Sequence, residues 1–424
     1  MTVIIILIIV LSFLTLRMSK ITSQANTYNV LDFGFFIAVL ICVYTIFPSI
    51  SYLIFKDDLI LLGSRVYNLQ PTDNEVAYLL LISISLVFGI FISYKLTPSN
   101  YNFDYKNITI IPNKVFKNSI WVLIISSILV NLIKYKYGLF NPGSYNEVYT
   151  SNWKMPIIIR QFFLVFSEAQ TFTKIILLIY FLQKRNIKTI VLFFLVFLLI
   201  SFDPGKARAG LFINLLLLFA GYQLFISKFS KLKILMLAIF GLFAFTLLGV
   251  FRSQNSGSIL PSTFLLVGEF NNIWANAIHI SQLKLDESFL IPISVRLNEF
   301  IAFIPSQLLP FEKLSVSNWY METFYPKSFE HGNGLGFGII AQSISDGGIF
   351  FGVLRGFILG KLFLFLKKSV LFSNKWWVFP VYIVFFLGLY SSVRTSSLGT
   401  FTTPVIKLLF FILLLKLSFK PKQL

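Results

Sequence analysis

Six cations and one histidine in this chain stand where they could handle an anion. Lys206 and Arg208 lie in the connection Asp203-Pro204-Gly205-Lys206-Ala207-Arg208. Arg252 opens a long polar stretch, Arg296 sits within it, and Arg355 and Arg394 follow it. A guanidinium stays charged and offers a planar fork that grips phosphate oxygens in pairs, so several on one side suit a pyrophosphate group. The plainer reading of each is a cation snorkelling to a headgroup layer. For Arg296 it is a surface pair with Glu299, three residues on. The polar stretch closes with Glu330-His331-Gly332-Asn333-Gly334-Leu335-Gly336-Phe337-Gly338. Glycines at alternate positions cannot hold a helix and let backbone approach a ligand closely, which singles out Gly334 and Gly336. His331 titrates near neutral pH and could serve there as base or donor, with Glu330 behind it and His279 as a further alternative. The competing reading is a loop histidine with no chemical role.

The frame that must position these groups is membrane helix. Of 424 residues, 56% are apolar and 12% charged, far from the soluble average. The apolar residues fall in eleven blocks, most of them long enough to cross a hydrocarbon core of about 30 Å. The blocks are Val3–Leu16, Leu31–Phe55, Val76–Leu96, Ile120–Ile133, Ile157–Leu182, Ile190–Phe202, Leu211–Ile226, Ile234–Phe251, Ile349–Leu366, Trp376–Tyr390 and Thr402–Leu417. With the N-terminus outside, the inner connections and their flanks carry eighteen Lys and Arg against a single acid, Asp104. The outer segments hold cations and acids in near-equal numbers. That asymmetry follows the positive-inside rule and puts the C-terminus in the cytoplasm. The net charge of +19 is therefore anchoring charge and not a nucleic-acid footprint. The expected fold is an all-α integral membrane protein of about eleven transmembrane helices. It forms a single polytopic domain over 1–424, with one long external loop over 252–348.

The first block has no basic residues before it and no small-residue cleavage pattern, so it reads as a retained anchor. Cys42 lies inside a span, and with only two histidines no metal site is expected. The fifth span carries Arg160, Ser167, Glu168, Thr171 and Lys174 close to one helical face. That face is either an internal ion-pairing surface or the wall of a hydrophilic cavity. Within the long loop, Gly268–Leu283 and Val295–Leu309 have helical apolar spacing and read as interfacial helices lying on the membrane. In the first, Asn272, Asn276 and His279 oppose the apolar side; in the second, Arg296 and Glu299 do.

The span count, the external turn DPGKARAG and the long loop opened by FRS together resemble the Wzy-type polymerases of bacterial surface polysaccharide. So do the loop segment FIPSQLLPFEKLSVSNWY and the exit GNGLGFGIIAQSISDGGIFFG. The resemblance implies an inner-membrane O-antigen or oligosaccharide repeat-unit polymerase. Such an enzyme moves a glycan from undecaprenyl pyrophosphate onto a hydroxyl of another lipid-linked unit. It implies Arg208 and Arg252 as site residues, with His331 as the first choice of base. Lys206, Arg296, Arg355, Arg394, Glu330, Gly334 and Gly336 are then candidates for binding substrate. No cofactor or metal is implied; the partners are lipid-linked glycans, membrane lipid and a chain-length regulator protein. Two other readings stay open. One is an O-antigen ligase or another polyprenyl-sugar glycosyltransferase, whose acid pair would be Asp73 and Glu75. The other, of a different class, is a lipid-linked oligosaccharide flippase.

Overall fold

The computed structural model describes residues 1–22, 32–54, 71–97, 109–138, 155–184, 273–283, 291–301, 304, 309–311, 313–326, 336–395, 404–409 and 411–413. Regular structure among these residues is helical, with no strand. The helices are α1 (Thr2–Thr22), α2 (Phe33–Ile54), α3 (Asp73–Leu96), α4 (Asn113–Lys136), α5 (Ile157–Gln183), α6 (273–283), α7 (Ile293–Phe300), α8 (Val316–Phe324), α9 (Ile339–Asp346), α10 (Ile349–Phe372) and α11 (Val378–Thr395). Among the described residues six helices are long and apolar enough to cross a membrane: α1 to α5 and α10. The sixth to eighth expected spans lie outside the described residues. The described residues are thus compatible with an all-α membrane protein.

Backbone contacts divide the chain into two compact units. One comprises Met1–Asn102, Phe229–Lys368 and Phe386–Thr403; the other comprises Phe103–Lys228, Ser369–Phe385 and Pro404–Leu424.

In the first unit α1 and α3 run in the same direction and α2 runs against them. Met1 at the start of α1 lies 2.9 Å from Asp73 at the start of α3. The Tyr52 hydroxyl, near the end of α2, donates to the same carboxylate at 2.8 Å. Helix α3 begins where its sequence dictates: Thr72 accepts from the Glu75 amide while the Glu75 side chain accepts from the Thr72 amide, a capping box. Asp73 and Glu75 thus sit at a helix N-terminus, where the dipole favours acids.

Helix α10 lies along α3, also in the same direction. Gly348, Gly352, Gly356 and Gly360 recur every four residues, so they form one stripe along α10. A Cβ at Gly352 would overlap Ser85, at Gly356 the Leu86 carbonyl, and at Gly360 Ser93; on α3, one at Gly89 would overlap the Val353 carbonyl. Small residues let the two backbones touch, which is how helices associate where lipid supplies no hydrophobic drive.

The opposite end of this unit holds a buried ion pair. Asp32 Oδ2 lies 3.2 Å from Lys367 Nζ, and Asp32 Oδ1 accepts from the Tyr94 hydroxyl at 2.9 Å and the Gly34 amide at 3.0 Å. Asp32 is fully buried. It ties together the start of α2, the end of α3 and the end of α10.

In the second unit α4 packs on α5. Phe116 stacks on Tyr180 at 4.1 Å, and Gln170 Nε2 donates to Ser127 Oγ at 2.8 Å. Trp121, Ile125 and Leu132 on α4 face outward with more than half their surface bare. Such a stripe would be a liability in water and is the natural outer face in lipid. Of the polar set expected on the fifth span, Glu168 pairs with Lys407 at 2.5 Å.

Candidate functional site

The candidate site is built at the end of the first unit that carries Met1, Tyr52 and Asp73. Its backbone begins at Gly336, which comes so close to the end of α11 that a Cβ there would overlap the Arg394 carbonyl and side chain. The close approach that glycine permits here is made by the chain itself. Gly338 follows at φ +88°, a conformation only glycine adopts freely, and opens α9. The helix ends at Asp346-Gly347-Gly348, with φ +141° and +78° at the two glycines. The Gly348 amide reaches back to the Ser343 carbonyl at 2.9 Å, which closes the helix. This turn starts α10 immediately beyond Asp346 and so brings Arg355 of α10 back onto the Asp346 carboxylate.

Two arginines from different elements meet on that carboxylate. Arg296 Nη1 of α7 lies 2.5 Å from Asp346 Oδ1, and Arg355 Nη2 holds Oδ2. Arg355 Nη1 also donates to Ser343 Oγ at 3.5 Å. The Asp346 side chain is 5% exposed, that of Arg355 23% and that of Arg296 36%. Glu299 is buried nearby and acts electrostatically on Arg355. The sequence suggested Glu299 as the partner of Arg296; the structure gives it Asp346, fifty residues away in sequence. Each guanidinium meets the carboxylate through one nitrogen, so two cations from different elements converge on one buried anion. A phosphate oxygen is an anionic acceptor, as is the carboxylate oxygen it would have to displace.

Helix α7 spans eight residues, against fifteen expected over 295–309. The chain bends at Ile304, the residue before Pro305, and a residue in that position is pushed out of helical geometry. The helix also turns its polar side inward: Asn298 and Glu299 are buried, while Ile293 and Leu297 are 75% and 59% exposed. The ionic cluster around Asp346 accounts for the inward polar side.

Helix α6, expected on the membrane surface, is instead enclosed by protein over its described residues. Ile273, Trp274, Asn276, Ala277 and Ile278 are all buried. Its polar groups are turned to partners instead of water. Asn276 Nδ2 donates to the Gly336 carbonyl at 2.6 Å, Trp274 Nε1 to Ser49 Oγ at 3.3 Å, and Gln282 Nε2 to Glu75 at 3.2 Å. The acceptors come from segments far away in sequence, so the polar positions found burial where the sequence pattern suggested exposure.

His279 of α6 meets α8. Its Nδ1 is 2.7 Å from the Tyr320 hydroxyl and 3.4 Å from that of Tyr325. Phe324 stands edge-on to the imidazole at 5.3 Å. Burial pushes the His279 pKa down, which favours the neutral ring. Burial also pushes the Tyr325 hydroxyl up to about 12, with the hydrogen bond from Tyr320 acting the other way. Tyr320 is fully buried and packs against Phe337 at 5.2 Å. The imidazole is thus oriented from behind by tyrosine hydroxyls.

Of the residues singled out in the sequence, Arg296 and Arg355 come together, and Gly336 lies beside Arg394. Lys206, Arg208, Arg252, Glu330, His331 and Gly334 lie outside the described residues. Asp346 was not foreseen, although the Asp-Gly-Gly that seats it is visible in the chain. Asp73 and Glu75 are occupied at the start of α3. Compared with known protein families, curated proteins and solved structures, the chain matches none.

Proposed function

We propose that the protein is a metal-independent membrane glycosyltransferase. It would polymerise undecaprenyl-pyrophosphate-linked oligosaccharide units into O-antigen or a related surface polysaccharide at the outer face of the cytoplasmic membrane. The observation that carries this reading is the meeting of Arg296 and Arg355 on Asp346. It sets two guanidinium groups around one anionic group beside the glycine-rich exit of the long polar stretch. The inner charge bias supports a topology with the Met1 end of the first unit external, in which this site would face the compartment where the lipid-linked unit is used.

In the proposed step the acceptor hydroxyl attacks the anomeric carbon of the donor. The bond from that carbon to the pyrophosphate oxygen breaks, and its electron pair leaves with undecaprenyl pyrophosphate. Arginines aimed at the leaving group stabilise the charge it gains. Arg296 and Arg355 take that role, with Arg394 as a further headgroup contact; Arg208, Arg252 and Lys206 are residues that the resemblance to the polymerases implies for the same substrate. His331 or Glu330 takes the hydroxyl proton.

Deleting the gene should abolish long surface glycan and leave single repeat units. Restoring it with Arg355→Lys or Arg296→Lys keeps the charge and loses the fork, so polymer should fall about tenfold or more at equal protein level. Full-length polymer from the double Lys variant would end the assignment of the site. The Glu168–Lys407 pair within a span favours a second reading, a lipid-linked oligosaccharide flippase. In that case the deletion strain would hold its lipid-linked unit out of reach of a probe applied from outside.

A further inference from the structure

The aromatic cluster around His279 is not used by the anion site. Trp319, Phe324 and Tyr325 are half-buried, as is His279, while Tyr320 is enclosed behind them. Trp319 and Phe324 meet edge to face at 6.2 Å, and Tyr325 lies 5.8 Å from Tyr320. Aromatic rings carry negative faces, which attract the weakly positive C–H groups on the flat side of a sugar ring. An imidazole beside them answers the hydroxyls at the edge of that ring. A group that is apolar on its faces and polar round its rim is what such a cluster recognises.

The cluster and the anion site are joined by one short, stiff element. Phe337, just before α9, packs on Tyr320, and Asp346 ends α9 between the two arginines. The eight residues of α9 span about 12 Å at about 1.5 Å per residue. The length of α9 is on the scale of a short saccharide whose anionic carrier is held at one end.

We propose that Trp319, Phe324, Tyr325 and His279 form a sugar-ring subsite for the glycan whose pyrophosphate is held by Arg296 and Arg355. The proposal rests on the glycosyltransferase reading and adds to it the place and chemistry of sugar recognition. His279 is here a residue that orients the sugar, not the base.

The test uses the full-length protein in detergent, with binding read by native mass spectrometry. Two probes are compared: undecaprenyl pyrophosphate, and the lipid-linked glycan accumulated by the deletion strain. Wild type should bind the glycan-bearing lipid about tenfold more tightly than the bare carrier, the size of one good aromatic contact. Phe324→Ala should erase most of that difference and leave binding of the bare carrier unchanged, while Phe324→Tyr should restore it. Should Phe324→Ala fail to fold, Phe324→Leu keeps the bulk without the ring and carries the same expectation. Arg355→Lys should weaken both probes alike. A wild type that binds both lipids equally, or a Phe324→Leu protein that keeps the full difference, overturns the subsite and leaves the anion site standing. A wild type that binds neither overturns the functional reading itself.

Discussion

At the scale of single residues, a charge or a ring acquires its role from the group placed against it. Arg296 had an obvious partner one helical turn away, yet it reaches Asp346, where Arg355 also ends. Removing Asp346 would leave two guanidinium groups facing one another, so it should destabilise more than removing the part-exposed Arg296, which leaves Asp346 paired with Arg355. His279 shows the same dependence in its proton affinity. Its pKa is lowered because burial disfavours the imidazolium, and Tyr320 and Tyr325, both neutral near pH 7, offer no compensating charge. The unfolded chain then binds the proton more readily than the folded one, so stability rises with pH. His279 contributes this stability fully above the unfolded value of about 6.5 and loses it as pH falls from there through its lowered folded value. Thermal unfolding followed from pH 7.5 to 5.0 should show the decline, and His279→Gln should flatten it. An equal decline in both proteins would assign the pH dependence to another group.

At the scale of elements, the glycine stripe makes α3 and α10 one packed pair. A side chain at Gly356 would run into the Leu86 carbonyl, which is backbone and cannot swing aside. Gly356→Leu should therefore destabilise by roughly 1–3 kcal/mol or more, seen as a lower thermal transition in detergent. Phe350→Leu, on an exposed part of the same helix, should leave the transition unchanged. Equal transitions for wild type and Gly356→Leu would mean that the two helices do not touch there. The existence of both helices was legible in their apolar runs, and the start of α3 in its Thr-Asp-Asn-Glu. The four glycines at four-residue spacing went unread in the sequence, and the structure shows them to be a packing stripe. The inward polar face of α7 was not legible, because an amphipathic pattern says where its two sides are and not which of them meets protein.

At the scale of the whole chain, the distribution of charge carries an expectation about orientation that no single contact does. Eighteen inner cations against one acid predict that a reporter fused at Ser315 reads external and one at Ser230 cytoplasmic. The reverse result at Ser315 would put the Arg296–Asp346–Arg355 cluster on the wrong face for a lipid-linked glycan delivered outside. The membrane class and helical spans were determined by the sequence alone, because an apolar run long enough to cross a bilayer must satisfy its own backbone and can do so as a helix. Partnership was decided only by the tertiary structure. Asp32 and Lys367 are 335 residues apart, Glu75 and Gln282 are 207 apart, and His279 and Tyr320 are 41 apart. No local pattern encodes such pairs, since each forms only when packing removes both groups from their surroundings and leaves them one another.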